Sequence, residues 1–271
     1  MHQFVEHFAP SDSLPQYGDG VFETMLATGA EIYHWRYHWA RLQSSCQRLG
    51  IAVPVHDELL AELQKRLQQA GHALAVVKML VSRGAGLRGY RTHADTPSYI
   101  HISVAPYAFN DKLYQGLSLR VCQTRLAKQP LLAGMKHCNR LEYLLARREP
   151  ADAAFDEGLL LDYDDQLIEG LISNVFVVNG RRVSTPDLAQ AGVAGTFRAY
   201  LLQHLPTCGY QVAVEDLTLD DVIAAEGVFL TNATHGVMPV KAIDGRPDYQ
   251  PINKTLNAAE AIRQLTEHPS L

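Results

Sequence analysis

The sequence predicts an α+β protein built from two α/β domains. Along its 271 residues, segments with helical spacing of apolar residues alternate with short, β-branched segments typical of strands. Hydrophobic residues make up 47% of the chain and charged residues 20%, which is an ordinary globular composition. The stretch 106–116 leaves a strand without beginning a new element. We therefore expect a smaller N-terminal domain over 1–110 and a larger C-terminal domain over 116–271, joined by a linker at about 106–116.

The predicted N-terminal domain places two helices between strands. Val21–Ala27 and Glu31–Tyr33 alternate as strands around a tight turn. Tyr37–Leu49 has apolar residues at helical spacing, and Glu58–Ala70 is a second helix that Gly71 ends. Two further apolar segments complete the domain as strands, Ala73–Ser82 and Tyr99–Ala105.

The predicted C-terminal domain begins with a strand, a helix and a meander. Leu117–Thr124 alternates as a strand, and Asn139–Arg148 is a helix in which Asn139 and Glu142 have the spacing of a capping box. Asn179-Gly180 is a strong hairpin signal. The remaining predicted elements are strands at Glu157–Asp162, Leu167–Glu169, Asn174–Val178, Val212–Glu215 and Val228–Thr231, and a helix from Thr196 to Leu205.

Charge and patterning exclude several classes of protein. Lys and Arg total 24 and Asp and Glu total 29, so the formal charge of −5 argues against a nucleic-acid binder. No apolar run approaches the roughly 18 residues of a membrane span, and the first residues lack the apolar region of a secretory signal. The four cysteines form no C-x-x-C pair, and His34 and His38 have no evident third metal ligand. We expect a soluble, cytoplasmic protein with reduced thiols and no metal.

A glycine-rich segment imitates a dinucleotide fingerprint. Gly84–Gly89 fits G-x-G-x-x-G, but a loop follows it where the fingerprint needs a helix. Arg83 and Arg88 flank the glycines, and arginine binds carboxylates through two parallel hydrogen bonds. The segment is therefore either a plain glycine-rich turn or a site for a carboxylate-bearing ligand.

Lys136 has the sequence environment of a nucleophile. Its neighbours are mostly apolar or small, and a predicted helix begins just after it. To act as a nucleophile, a lysine must lose its proton, which costs about 4–5 kcal/mol at pH 7 and needs desolvation or a nearby cation such as Arg140. The alternative is a lysine whose methylene stem covers an apolar patch while its amine stays in water.

Two further segments suit a phosphorylated, ring-containing ligand. Glu169 is an isolated carboxylate in an apolar meander, and an unpaired buried charge is costly. It either holds a protonated ring nitrogen or faces solvent from a hairpin. The small residues before Gly195 lead into a helix whose first N–H groups can bind phosphate, unless this is an ordinary helix start.

Taken in order, several segments resemble the fold-type IV pyridoxal-phosphate enzymes. The matching segments are Tyr17-Gly18-Asp19-Gly20-Val21-Phe22-Glu23-Thr24, His38-Trp39-Ala40-Arg41-Leu42, the Lys136 segment, Glu169 with Ser173-Asn174-Val175-Phe176, the Gly195 helix start and Thr231-Asn232-Ala233. Within the family, the aminodeoxychorismate lyases are the most similar members. Ser82–Tyr90 is similar to their arginine loop, and Lys136–Glu142 is similar to their lysine segment.

The resemblance implies a D-amino acid aminotransferase-like fold and the cofactor pyridoxal 5′-phosphate. It implies that Lys136 is the catalytic lysine and binds the cofactor covalently, that Glu169 binds the pyridine nitrogen, and that Arg41 binds the phosphate. The other implied cofactor-binding residues are Ser173, Asn174, Gly195, Thr196, Phe197, Asn232 and Ala233. The implied substrate-binding residues are Arg83, Arg88, Asn139 and Arg140.

The resemblance also implies a reaction and an assembly. The reaction is conversion of 4-amino-4-deoxychorismate to 4-aminobenzoate and pyruvate in folate biosynthesis, with Lys136 moving the proton, and the assembly is a homodimer. Two alternatives stay open. One is a D-amino acid or branched-chain aminotransferase on the same scaffold. The other is a non-catalytic binding protein on a degenerate scaffold, against which the intact Lys136, Glu169 and Arg41 argue.

Overall fold

The computed structural model describes residues 1–86, 89–92, 96–150, 155–246, 249 and 262–263. The chain divides into two compact units. The first contains Met1–Ala108 and Met135–Arg140, and the second contains Phe109–Gly134 and Leu141–Leu271. The chain first passes from the first unit to the second after Ala108, which lies within the range predicted for the linker.

The first unit is a five-stranded sheet with helices. Its elements are β1 (His2–Phe4), α1 (Ser13–Tyr17), β2 (Gly20–Thr28), β3 (Glu31–Ile32), α2 (Trp35–Leu49), α3 (His56–Ala70), β4 (Leu74–Ser82) and β5 (Ser98–Pro106). The strand order is β1-β5-β4-β2-β3, in which β1 runs parallel to β5 and the other pairs are antiparallel. The strands and helices that the sequence predicts in this unit are all present, with ends that differ by one or two residues.

The core of the first unit follows from helical and strand periodicity. Leu59, Leu63 and Leu67 recur every four residues on α3 and are buried with Leu42 of α2 against the sheet. Gly50 and Gly71 follow the two long helices with φ of 66° and 65°, a backbone conformation that glycine adopts without steric cost.

The second unit contains an eight-stranded sheet. Its elements are a 3₁₀ turn (Asp111–Gln115), β6 (Leu117–Leu126), α4 (Leu141–Arg147), β7 (Glu157–Asp162), β8 (Leu167–Gly170), β9 (Asn174–Asn179), β10 (Arg182–Pro186), α5 (Thr196–His204), a 3₁₀ turn (Leu205–Cys208), β11 (Gln211–Glu215), α6 (Leu219–Ala224), β12 (Gly227–Asn232) and β13 (Gly236–Ile243). The strand order is β11-β10-β9-β12-β13-β6-β7-β8. The predicted hairpin is confirmed, because β9 and β10 pair antiparallel around Gly180-Arg181.

The lysine segment joins the first unit by backbone pairing. β3 covers only the far end of β2, which leaves the edge of β2 near Gly20–Phe22 open to another segment. The N–H of Phe22 donates to the carbonyl of Lys136 at 2.9 Å, and the N–H of Cys138 donates to the carbonyl of Gly20 at 2.9 Å. The sequence assigns Lys136 to the C-terminal domain, whereas in the structure its segment belongs to the first unit.

The helix after the lysine segment begins later than predicted. α4 begins at Leu141, so the expectation that Asn139 caps it is wrong. Glu142 does not complete a capping box with Asn139, because its Oε1 accepts a hydrogen bond from the N–H of Ala127 at 3.0 Å. The capping box that does form joins Thr218 and Asp221 at the start of α6, a helix that the sequence did not predict.

Candidate active site

Lys136 lies against an aromatic ring, in a loop whose backbone carbonyls are held by hydrogen bonds. Its Nζ is 4.5 Å from the centre of the Phe22 ring. Arg140 donates from Nε to the carbonyl of His137 and from Nη2 to the carbonyl of Met135, each at 2.8 Å. The guanidinium therefore fixes the carbonyls on both sides of Lys136. The substrate-binding role predicted for Arg140 stays a prediction, and the structure adds a role in holding the loop.

Asn139 is close-packed against the turn that precedes β2. A Cβ placed on Gly18 would lie 2.5 Å from Asn139 Oδ1, and Gly18 has a φ of +70°. Glycine is thus required there by both space and backbone conformation. This contact places Asn139 beside the Gly18–Gly20 turn, and its predicted contact with substrate stays a prediction.

Glu23, His38 and Arg41 form a buried polar cluster beside the lysine loop. Arg41 donates from Nε to Glu23 Oε1 at 2.8 Å and from Nη2 to Oε2 at 2.5 Å, and His38 Nδ1 lies 2.6 Å from Oε2. Glu23 and His38 are each only 1% exposed. Lys136 and Arg41 both act electrostatically on His38, so the two cations share one region of the first unit.

The charges of this cluster follow from burial and pairing. Burial alone raises the pKa of Glu23, but the Arg41 guanidinium and the hydrogen bond from His38 outweigh it and hold that pKa at about 2. Burial lowers the pKa of His38, so its ring is neutral at pH 7 and Nδ1–H donates to the carboxylate. The cluster therefore contains an ionised glutamate, a neutral histidine and a cationic arginine.

We expect Glu23 to make the protein sensitive to acid. As the pH falls from about 4.5 towards about 2, the unfolded chain protonates Glu23 while the folded state keeps it ionised, so the free energy of unfolding decreases. Urea titrations of the cofactor-free protein at several pH values in this range measure the slope of the free energy of unfolding against pH. Glu23→Gln should flatten the slope, and Glu31→Gln, on the exposed face of β3, should not. Equal slopes for all three proteins would contradict the assignment.

The guanidinium of Arg83 donates most of its hydrogen bonds to other groups of the protein. Its Nε and Nη2 donate to the Asp19 carboxylate at 2.6 and 3.2 Å, Nη1 donates to the carbonyl of Gly50 at 2.7 Å, and Nη2 also donates to the carbonyl of Leu49. Four of its five N–H donors are used in joining the arginine loop to Asp19 and to the end of α2. The geometry thus favours a structural role for Arg83, and carboxylate binding there stays a prediction. Arg88 lies outside the described residues.

In the second unit, Glu169 is a buried carboxylate held on both oxygens. Tyr143 OH donates to Oε1 at 2.5 Å. The N–H of Val193 donates to Oε2 at 3.0 Å, and Asn174 Nδ2 lies 3.3 Å from the same oxygen. Glu169 is 3% exposed, and all of these donors favour its ionised form. A fixed, buried carboxylate of this kind can hold a protonated nitrogen.

A second buried carboxylate, that of Glu157, holds the turn after Glu169 by hydrogen bonds. Glu157 accepts hydrogen bonds from the N–H of Leu171 at 2.9 Å and from Ser173 Oγ at 3.3 Å. Burial raises the pKa of Glu157, although these donors oppose that effect. The hydroxyl of Ser173 therefore shapes the Gly170–Ser173 turn in this structure, and direct contact of Ser173 with a cofactor stays a prediction.

Gly195 gives the start of α5 close access to Asn174. A Cβ on Gly195 would lie 1.9 Å from Asn174 Oδ1, so a larger residue would displace the amide that contacts Glu169. Thr196 and Phe197 form the first turn of the nine-residue α5. The N-terminal end of a helix has a partial positive charge, which makes this end suited to an anion.

The turn after β12 is built by its own asparagine. Asn232 Oδ1 accepts hydrogen bonds from the N–H of Thr234 at 3.0 Å and from the N–H of His235 at 2.8 Å. The side chain of Asn232 therefore shapes the turn. Phosphate contacts from Asn232 and Ala233 would come from their backbone, and they stay a prediction.

These groups fit the chemistry of pyridoxal phosphate. The first unit provides the amine of Lys136 and the guanidinium of Arg41. The Arg41 side chain is 11% exposed. The second unit offers the Glu169 carboxylate and the first turn of α5. An aldehyde, a phosphate and a ring nitrogen require an amine, a cationic donor with N–H groups, and a carboxylate, respectively.

Sequence reasoning missed Glu23, His38 and Tyr143 as residues that hold the site residues in place, although a glutamate inside the apolar strand β2 was a usable signal.

Among the described residues, no helix combines the length and apolar character needed to span a membrane. The same part of the chain has no cluster of three histidine, cysteine or acidic residues that could hold a metal ion.

Comparison with known proteins places these features in a family. A model of the family "Amino-transferase class IV" matches residues 20–243. The aminodeoxychorismate lyase of Vibrio harveyi is 36% identical over 243 residues, covering 88% of each chain. The 4-amino-4-deoxychorismate lyase structure from Pseudomonas aeruginosa has a TM-score of 0.88 and 36% identity, covering 98% of this chain and 97% of that one. A hypothetical aminotransferase from Mycobacterium tuberculosis in its PLP-bound form has a TM-score of 0.81 at 19% identity, covering 96% and 92%, and shows the shared fold.

Proposed function

Because this chain belongs to the class IV aminotransferase family, whose members use pyridoxal phosphate, we propose that it is a pyridoxal-phosphate-dependent lyase. The proposed reaction converts 4-amino-4-deoxychorismate to 4-aminobenzoate and pyruvate, a step of folate biosynthesis. The observation that supports this most strongly is the lysine segment. Lys136 lies on the Phe22 ring in a loop whose flanking carbonyls are fixed by Arg140.

The chain has residues suited to bind each part of the cofactor. Lys136 would bind it covalently, Glu169 would bind the ring nitrogen, and Arg41 would bind the phosphate together with the first-turn N–H groups of Thr196 and Phe197. Asn174 and Gly195 would support Glu169 and the start of α5. When bound, pyridoxal phosphate supplies an electron sink for the electrons released at the substrate carbon.

The residues of the chain then perform the proton transfers. With its amine free, Lys136 would remove the proton from C4 of the substrate as a general base. Glu169 would hold a proton on the ring nitrogen, and this would let the ring accept negative charge. The protonated Lys136 then delivers its proton as the enolpyruvyl group leaves from C3 as pyruvate. The proton removed is the proton returned, and the aromatic ring that forms makes the step effectively irreversible.

An aminotransferase is the second candidate, favoured by the fold that this chain shares with such enzymes. The two candidates differ in what they consume. A lyase needs no amino acceptor, whereas an aminotransferase transfers the amino group to a keto acid and leaves the cofactor in its amine form.

The deciding experiment is an assay of the purified, cofactor-loaded protein with 4-amino-4-deoxychorismate and no keto acid. We expect equal amounts of 4-aminobenzoate and pyruvate. If neither product appears although the protein binds pyridoxal phosphate, the lyase proposal is wrong. A screen of D-amino acids and branched-chain amino acids with a keto acid then tests the aminotransferase. A protein that binds no cofactor would contradict both.

We further propose a cytoplasmic homodimer that takes only this small-molecule substrate and no nucleic acid or membrane partner. The support is the resemblance to the family and the acidic balance of the sequence. Sedimentation of the purified protein at several concentrations measures the assembly directly.

A further inference from the structure

We infer that Tyr143 is a positioning residue that sets the orientation and charge of Glu169. The inference rests on the proposed function, because Glu169 matters through the ring nitrogen that it would hold. Tyr143 OH donates to Glu169 Oε1 at 2.5 Å, while the N–H of Val193 and Asn174 Nδ2 approach Oε2. The carboxylate is thus held on one oxygen by α4 and on the other by the segment before α5 and the start of β9.

The environment of Tyr143 fixes its hydroxyl. The ring is partly buried and packs against an apolar cluster that includes Cys122, Ala146 and Ile168. Packing on the ring limits its rotamers, so the hydroxyl stays directed at β8, where Glu169 lies. A phenol donor that is already in place strengthens a carboxylate contact without reorganisation when the ligand binds.

The hydrogen bond has a chemical consequence for a bound ring. A donor to the carboxylate stabilises its ionised form. The proton shared between Glu169 and a ring nitrogen then resides more on the nitrogen, which keeps the ring cationic. Without the hydroxyl, the carboxylate competes better for that proton and is also less fixed. Tyr143 therefore acts on the charge of the ring through Glu169 and needs no contact with substrate.

The test compares Tyr143→Phe, Glu169→Gln and the double variant. Phenylalanine keeps the ring packing and removes only the hydroxyl. We expect Tyr143→Phe to raise the dissociation constant for pyridoxal 5′-phosphate about 5- to 10-fold, to change the absorption spectrum of the bound cofactor, and to lower kcat with little change in KM. Tyr163→Phe is the matched control, because Tyr163 is 74% exposed on the turn after β7.

The double variant separates positioning from general structure. If Tyr143 acts through Glu169, its replacement has no further effect on cofactor affinity in the Glu169→Gln background. An undiminished effect there, or unchanged affinity and spectrum in the single variant, would overturn the inference. Melting of the cofactor-free proteins checks that Tyr143→Phe folds as the parent does. If the parent itself binds no pyridoxal phosphate, the proposed function fails rather than this inference.

Discussion

Lys136→Ala should lower turnover of 4-amino-4-deoxychorismate by about 10³-fold or more, because in the proposed mechanism one side chain supplies both the covalent attachment and the proton transfer. The loop should survive the change. Its backbone pairs with β2, and Arg140 binds carbonyls rather than the lysine side chain. The loss should therefore appear in chemistry and cofactor attachment, with little loss of stability.

The measurement is product formation at saturating substrate, with reduction by borohydride to test covalent attachment of the cofactor. Lys65→Ala is the control, since Lys65 is a surface lysine of α3 paired with Glu62. A Lys136→Ala protein that turns over at the parent rate would remove Lys136 from the mechanism. Retained covalent attachment would mean that another lysine binds the cofactor.

The fold could be predicted where periodicity was strong. α2, α3, β4 and β7 have clear apolar spacing, and the structure gives them nearly the predicted bounds. β13 was missed because Pro239 lies inside it and proline argues against a strand. The short elements β1 and α1 were missed because three and five residues carry too little pattern to distinguish them from loop.

The candidate site could be predicted only at the residues that carry family motifs. The motifs single out Lys136, Glu169 and Arg41, whose roles stay predictions, but the groups that contact them come from other parts of the chain. Tyr143 is 26 residues from Glu169, and spacing along the sequence could not show that they meet. Arg83 shows a further limit of sequence reasoning. Its flanking glycines suggested a ligand, and only the structure shows that Asp19 and two backbone carbonyls occupy its donors.

We expect Arg41→Ala to lower both the stability of the fold and the affinity for the cofactor. The substitution leaves Glu23 buried without its bidentate partner. Removing one member of a buried ion pair costs about 3–5 kcal/mol in the free energy of unfolding. The variant should also bind pyridoxal phosphate weakly, because Arg41 is the proposed phosphate ligand. Gln47→Ala, at an exposed position of the same helix, should cost less than about 0.5 kcal/mol.

The double variant Glu23→Gln/Arg41→Ala separates the two effects. Glutamine removes the uncompensated charge, so much of the lost stability should return in urea unfolding of the cofactor-free protein. Cofactor affinity should stay low, because the phosphate ligand is still missing. If affinity returns with stability, Arg41 served only to neutralise Glu23 and the phosphate is bound elsewhere. If Arg41→Ala costs under about 1 kcal/mol, water or His38 compensates the Glu23 charge, and the ion pair is not what allows a carboxylate inside β2.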